Sequence, residues 1–140
     1  MSQQAIKDKV EKILDTDHVG TMATVENKKP HSRYMTFYHK DLKLYTATSK
    51  DTHKAEELEQ NPYTHILIGY EGEGYGDLYV EYEGKVSFNN SDELKKQLWN
   101  KHMEPYFEGP EDPDFVILEI EPMMIRLMNK KGETPETLKL

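Results

Sequence analysis

The chain has 140 residues, the size of one domain with a single hydrophobic core. Its formal net charge of −8 at pH 7 opposes the phosphate backbone of nucleic acids, so nucleic-acid binding is excluded as its main role. It contains no cysteine, which excludes disulfides, thiolate catalysis and cysteine-bound metals. No apolar run approaches the roughly 18 residues that a membrane-spanning helix needs, and the first residues carry no apolar signal segment. We therefore expect a cytoplasmic protein with no membrane partner.

The first half of the chain predicts a helix, a β-hairpin, a further strand and a second helix. Ile6, Val10 and Leu14 recur at helical spacing, whereas the following segments are rich in β-branched and aromatic residues. The second helix is capped by Asp51 or Thr52. The predicted ranges are 2–14 and 52–59 for the helices and 18–25, 30–38 and 42–48 for the strands.

The second half predicts four more strands and a third helix. The predicted strands are 63–70, 78–88 and the pair 115–121 and 124–129, which Pro122 separates. Gly84 marks a bulge or a bend, and Asn90 or Ser91 caps a helix that carries Leu94 and Leu98. The tail from residue 130 is polar and is expected to be partly disordered.

Short turns between most strands favour an antiparallel sheet that closes on itself. We therefore predict a mainly β fold: a six- to seven-stranded antiparallel β-barrel with about three peripheral helices. The whole chain, residues 1–140, forms a single domain, because no linker or internal repeat divides it.

The junction between the strand at 42–48 and the second helix concentrates groups that attract anions. It carries Ser49, Lys50, Thr52, His53 and Lys54. Backbone N–H groups at a helix start form a ready site for phosphate, and lysines add positive charge. The same residues are also typical of an ordinary charged helix start in solvent, so local chemistry leaves both interpretations open.

Four motifs in order resemble the pyridoxamine 5′-phosphate oxidase-like split-barrel flavoproteins. They are the segments 18–25 (HVGTMATV), 30–35 (PHSRYM), the strand–helix junction ending at Asn61-Pro62, and 106–115 (YFEGPEDPDF). The last segment is similar to the bacterial general stress protein branch of that family. The resemblance implies a split β-barrel that forms a homodimer and binds flavin mononucleotide (FMN) at the subunit interface.

The resemblance also implies which residues hold the phosphate of FMN. Arg33 and Lys54 match the cationic residues that bind this phosphate in the family, and a guanidinium suits phosphate because it offers two parallel hydrogen bonds. Thr48 and Ser49 match positions whose hydroxyl or backbone groups bind the same phosphate, and His53 belongs to the same cofactor-binding junction.

Other residues are implied at the flavin ring. The backbone of Tyr34, Met35 and Thr36 runs alongside the ring in the family. Gln97 and Trp99 are expected to approach the ring from the neighbouring subunit. The alternative for Trp99 is a place in the core or the dimer contact, together with Leu94 and Leu98.

These observations predict an FMN-binding oxidoreductase of a stress response, with a small-molecule substrate that the sequence does not identify. The alternatives are a flavin-binding stress protein without turnover and a barrel that binds haem or a deazaflavin. Oxidation of pyridoxine phosphate is not expected, because the chain ends in residues 132–140 (GETPETLKL) instead of the Arg-Leu substrate motif of the true oxidases. No catalytic residue is assigned, and the six histidines show no metal-ligand spacing.

Overall fold

The computed structural model describes residues 1–72, 77–128 and 133–140, and for residues 53 and 54 it describes the backbone alone. In this part of the chain there are three α-helices and one 3₁₀ turn: α1 (Gln3–Thr16), α2 (His53–Gln60), α3 (Asp92–Leu98) and the turn Lys101–Met103. Ser2, Thr52 and Ser91 cap the three helices, since each side-chain oxygen accepts a hydrogen bond from the backbone N–H three residues later. The three predicted helices are confirmed.

The described residues form eight strands, all paired antiparallel. They are β1 (Val19–Glu26), β2 (Lys29–Thr36), β3 (Tyr38–Lys40), β4 (Lys43–Ser49), β5 (Tyr63–Ile68), β6 (Tyr79–Phe88), β7 (Phe115–Met128) and β8 (Glu136–Leu138). Seven follow the order β2-β1-β5-β6-β7-β4-β3, and β8 pairs with β7. This sheet curls into a half-barrel, so the predicted mainly β fold is confirmed.

The curl of the sheet is most evident at the connection between β2 and β3. These strands lie at opposite ends of the strand order, yet a single residue, Phe37, joins them. The two ends of the sheet are therefore close in space. Phe37 N donates to His18 O at 2.6 Å, and Thr46 Oγ1 donates to Thr36 O at 2.7 Å across the gap. The predicted single strand at 30–38 is wrong for this reason: Phe37 turns into the core at 2% exposure and divides it.

β7 is one strand where two were predicted. Its first half, up to Ile120, pairs with β4, and its second half, from Ile125, pairs with β8 on the same side. Pro122 lies between these two pairings, where its missing N–H removes no hydrogen bond to β4 or β8. The irregularity that was predicted at Gly84 is confirmed, because the register with β7 shifts between Glu83 and Gly84, and the extra residue is Met123 of β7.

The inner face of the sheet and α1 enclose the main core. Burial alternates along β1 and β6, as expected for strands with one face in the core. The fully buried members with large side chains include Tyr82, Phe37, Ile6, Met22, Leu44, Ile66, Leu118, Ile120, Ile125 and Leu127. Tyr82 satisfies its buried hydroxyl by donating to Leu42 O at 2.7 Å.

The C-terminal tail was predicted as partly disordered, and this is wrong for β8. Leu138 is 4% exposed and belongs to the main core. The side chain of Gln3 in α1 makes two hydrogen bonds to the backbone of this C-terminal segment. Its Nε2 donates to Thr137 O at 3.2 Å, and its Oε1 accepts from Lys139 N at 2.7 Å. Within the described ranges, no helix has both the length and the apolar character to cross a membrane.

Candidate functional site

A cavity of about 700 Å³ opens between the strand ends and the loop that follows α3. One wall consists of residues of β1 to β4 and the start of α2. The opposite wall comes from the 3₁₀ turn and the residues after it. The lining residues are Val19, Tyr34, Met35, Thr36, Tyr38, Thr46, Ala47, Thr48, Ser49, Thr52, His102, Met103, Tyr106 and Phe107. Its volume is typical of a site for a small molecule or cofactor.

Hydroxyl groups gather where β4 runs into α2. The Thr48 and Thr52 hydroxyls lie 3.1 Å apart, and both residues line the cavity with Ser49. Thr52 also caps α2: its Oγ1 accepts from Ala55 N and donates to Ser49 O. The first N–H groups of a helix have no partner within the helix and carry its positive dipole end. This corner of the cavity is therefore chemically suited to an anion.

The opposite wall is held by an aromatic cluster beneath it. Phe115 is fully buried, and its ring packs against Trp99 at 5.3 Å and Phe107 at 5.1 Å between ring centres. Met103 is buried in the same cluster, and its carbonyl accepts from Tyr106 N and Phe107 N at 3.0 Å. The turn therefore has a fixed base, while the Tyr106 side chain above it is 80% exposed.

The loop that follows this wall is also closed by hydrogen bonds. The Asp112 carboxylate accepts from the backbone N–H groups of Glu108 and Asp114, both at 2.9 Å. These two bonds hold the pKa of Asp112 below its ordinary value. Lys50 N donates to Asp114 O at 2.9 Å and fastens the loop to the end of β4. This hydrogen bond connects the loop that follows one cavity wall to the β4 end of the other wall.

Charge is sparse in the cavity itself. Among the lining residues that the structure describes, none is Asp, Glu, Lys or Arg, and His102 is the one side chain besides the tyrosines with an acid–base function. No described carboxylate therefore lines the wall to repel a bound anion, although the whole chain carries a net charge of −8. Near neighbours decide the potential in such a cavity more than net charge does.

Arg33 lies outside the lining and is bound to α2. Its Nη1 donates to Thr24 Oγ1 at 2.8 Å, and its Nη2 lies 3.3 Å from Glu57 Oε2. Thr24 Oγ1 donates to the same carboxylate oxygen, in a short hydrogen bond. The Glu57 side chain is 6% exposed and that of Arg33 26%. Burial raises the pKa of Glu57, but the Thr24 hydrogen bond and the Arg33 charge outweigh it, and the net pKa lies below the ordinary value.

The structure brings half of the predicted cofactor-binding residues together. Tyr34, Met35, Thr36, Thr48 and Ser49 all line the cavity. Arg33 precedes Tyr34 in β2 but is not among the lining residues, and its guanidinium is bound to Glu57 of α2.

The other predicted site residues either lie away from the cavity lining or have side chains that the structure does not describe. Gln97 is exposed on α3. Trp99 packs in the aromatic cluster of its own chain, the position that the alternative interpretation expected. The predictions for His53 and Lys54 concern side chains outside the described residues.

Four residues of this region were not singled out from the sequence as site residues. Glu57 looked like one of several acidic residues on an amphipathic helix, and Tyr38 and His102 carried no motif of their own. Tyr106 did lie in a segment that carried the family resemblance, and this was the one available signal. Partners such as Arg33 and Glu57 are 24 residues apart, so spacing in the sequence does not reveal them.

Comparison with known proteins gives one family and several relatives. The family described as "Pyridoxamine 5'-phosphate oxidase" matches residues 6–129. General stress protein 26 of Bacillus subtilis (strain 168) is 58% identical over 140 residues, which is 100% of both chains. The crystal structure of General Stress Protein 26 from Bacillus anthracis str. Sterne is 35% identical, covers 96% of this chain and 98% of that chain, and has a TM-score of 0.86.

Two more distant structures share the fold alone. A heme binding protein from Mycobacterium smegmatis has a TM-score of 0.77 at 18% identity, over 98% of this chain and 58% of that chain. A FAD-binding protein from Mesorhizobium loti has a TM-score of 0.69 at 19% identity, over 84% and 89%. The same half-barrel is therefore found in proteins that bind different flat cofactors.

Proposed function

The chain belongs to the pyridoxamine 5′-phosphate oxidase family, and we propose that it is a homodimeric, cytoplasmic flavoprotein that binds FMN in the 700 Å³ cavity. The observation that carries the proposal is the cavity itself. It joins a corner suited to an anion, at the β4–α2 junction, to a largely apolar space suited to a ring. We further propose that the protein is an oxidoreductase of a stress response.

The anion-binding corner fits the phosphate of FMN. The hydroxyls of Thr48, Ser49 and Thr52 offer hydrogen bonds, and the start of α2 contributes its dipole. We assign the phosphate also to Lys54, in the first turn of α2, and to His53 beside it. We assign Arg33 to the phosphate as well, and its bond to Glu57 of the same helix supports this assignment.

The rest of the cavity fits the flavin ring. Met35 and Ala47 provide an apolar surface, and the backbone of residues 34–36 in β2 provides N–H and C=O groups along one side. FMN, when bound, supplies hydride or electron transfer, while the protein supplies position and electrostatics. Gln97 and Trp99 are assigned to the partner subunit's side of the ring.

Dimer formation is supported by an exposed apolar surface beside the cavity. Tyr34 and Leu67 flank Thr21 in one row across β2, β1 and β5, and Tyr34 is 79% exposed. Val19, at 60% exposure, continues this surface. β2 is in addition an edge strand, and most of its residues are exposed. Exposed apolar patches of this kind mark interaction sites, and an exposed edge strand offers unpaired backbone groups to a second chain.

The purified protein tests the proposal through its visible spectrum. We expect a flavin spectrum, and we expect FMN to bind more tightly than riboflavin, because riboflavin lacks the phosphate. A Soret band would indicate haem instead, and a deazaflavin spectrum the other alternative. Oxidation of NAD(P)H by the holo-protein then separates an oxidoreductase from a flavin-binding protein without turnover. A protein that binds neither FMN nor riboflavin contradicts the proposed function.

A further inference from the structure

Asn100 joins the two walls of the cavity. Its Nδ2 donates to the hydroxyl of Tyr38 in β3 at 2.6 Å and to Leu98 O at 3.3 Å. Its Oδ1 accepts from the backbone N–H of His102 at 2.9 Å and thereby caps the 3₁₀ turn. Tyr38 and His102 both line the cavity. One amide side chain therefore holds the Tyr38 hydroxyl on one wall and the backbone of His102 on the other.

The direction of the Tyr38 hydrogen bond follows from chemistry. The NH₂ of an asparagine amide donates only, so the phenol oxygen accepts. The hydroxyl proton of Tyr38 is then directed away from Asn100 and is available to an acceptor in the cavity. A phenol whose oxygen already accepts a hydrogen bond is a better donor, because neighbouring hydrogen bonds polarise one another.

His102 supplies a second donor in the same cavity. It is the residue of the 3₁₀ turn whose backbone Asn100 holds, and its imidazole carries a donor N–H whether neutral or protonated. Around these donors, Tyr106 and Phe107 offer aromatic faces. No Lys or Arg lines the cavity within the described ranges, so a ligand with a formal negative charge gains no ion pair on this wall.

We propose that Tyr38 and His102 form a pair of hydrogen-bond donors that binds the carbonyl oxygen of an uncharged, flat, conjugated substrate, with Asn100 as the positioning residue. This inference rests on the proposed function in one respect, since it places the substrate beside the cofactor in the same cavity. It adds a substrate class, uncharged conjugated carbonyl compounds, and assigns specificity to the wall that carries His102 and Tyr106.

The probe is 1,4-naphthoquinone, titrated by calorimetry into FMN-loaded and into flavin-free protein. The chain has no cysteine, so the probe is not lost by addition to a thiol. Tyr38→Phe removes the hydroxyl but keeps the ring. Asn100→Asp keeps the acceptor for the His102 N–H, but its carboxylate accepts the Tyr38 proton and turns it away from the ligand. Tyr63→Phe, an exposed tyrosine of β5 outside the cavity, is the matched control.

We expect Tyr38→Phe and Asn100→Asp each to weaken probe binding about fivefold, the effect of one lost neutral hydrogen bond. FMN affinity should stay within about twofold, and the control should match the wild type. His102→Ala, at an exposed position that leaves the fold intact, should weaken probe binding by a similar factor. In FMN-loaded protein, where the phosphate of FMN occupies the anion-binding corner, the sulfonate derivative of the probe adds a negative charge and should bind more weakly than the probe itself.

The proposal is overturned if the wild type does not bind the probe, if the variants bind it like the wild type, or if the sulfonate binds as tightly. It is also overturned if the variants lose FMN affinity to the same extent, because the donors then serve the cofactor. A wild type that binds no FMN refutes the proposed function alone. In that case the titration of flavin-free protein decides: dependence on Tyr38 and Asn100 supports the donor pair, and independence refutes it.

Discussion

Replacing Glu57 by alanine should destabilise the fold more than a typical surface substitution. The Glu57 carboxylate accepts from two partners, the Thr24 hydroxyl and the Arg33 guanidinium. Thr24 is 1% exposed, so its hydroxyl has little access to water when Glu57 is gone. Hydrogen bonds to a charged group contribute about 1.5–3 kcal/mol each, and breaking a buried ion pair costs about 3–5 kcal/mol.

The lower end of the range for a buried ion pair, about 3 kcal/mol, applies to Glu57→Ala. The reason is that a quarter of the Arg33 side chain reaches solvent and stays hydrated in the variant. We therefore expect a loss of about 3 kcal/mol in the free energy of unfolding, or roughly 10 °C in Tm for a domain of this size. Urea unfolding at fixed protein concentration measures it, since a dimer makes stability depend on concentration. Glu11→Ala is the control: its pair with Lys7 on α1 is exposed and should contribute less than about 0.5 kcal/mol.

The loss should depend on pH, and the sign follows from the lowered pKa of Glu57 in the folded state. The stabilisation by the carboxylate is fully present above the unfolded pKa, near 4.3, and disappears as the pH falls through the lower folded value. The difference between wild type and Glu57→Ala should therefore be constant from about pH 6 to 5 and shrink below about pH 4. A loss under about 1 kcal/mol at pH 7, or one that does not change down to pH 3, would refute this account of the cluster.

Three further predictions concern function. Arg33→Ala and Lys54→Ala should each weaken FMN binding about tenfold or more, which is the effect of one charge-assisted phosphate bond. Riboflavin binding should stay unchanged in both variants, because riboflavin has no phosphate. Equal losses for both ligands would show that these residues do not bind phosphate. Leu67→Asp should convert the dimer to a folded monomer in sedimentation experiments. Leu140→Asp, at an exposed C-terminal residue, should not change the oligomeric state. A wild type that is monomeric yet binds FMN tightly would contradict a cofactor site at the interface. The holo-protein should oxidise pyridoxine phosphate far more slowly than about 1 per second, an ordinary enzyme rate, because the described cavity lining offers no Lys or Arg for a separate substrate phosphate. Turnover near that rate, measured as pyridoxal phosphate formed, would restore the oxidase assignment.

The features that the sequence predicted correctly are those with local physical causes. The caps at Thr52 and Ser91 depend on a side chain and an N–H three residues away. The irregularity at Gly84 follows from a glycine within an alternating strand, and a Cβ there would approach Ile120 Cγ2 to 2.5 Å. The family resemblance also rested on short segments, and the match over residues 6–129 confirms it.

The tertiary structure alone decided where strands divide, continue or find a partner. The curl of the sheet brings β2 close to β4, and Phe37 therefore turns inward and ends β2. Pro122 is tolerated within one long β7 because that position has no neighbour on one side. The three-residue β8 has too little pattern to be predicted, and its place follows from β7 and Gln3.

The same distinction holds for the candidate site. The strand–helix junction was predictable because its hydroxyls and helix start adjoin in sequence. The bonds of Arg33 to Glu57 and of Asn100 to Tyr38 join residues 24 and 62 positions apart. Side chains so far apart in sequence meet only after the sheet has curled and the loop after α3 has packed on Phe115. Local sequence carries propensities and caps, whereas the partners of buried polar groups depend on which distant elements the core brings together.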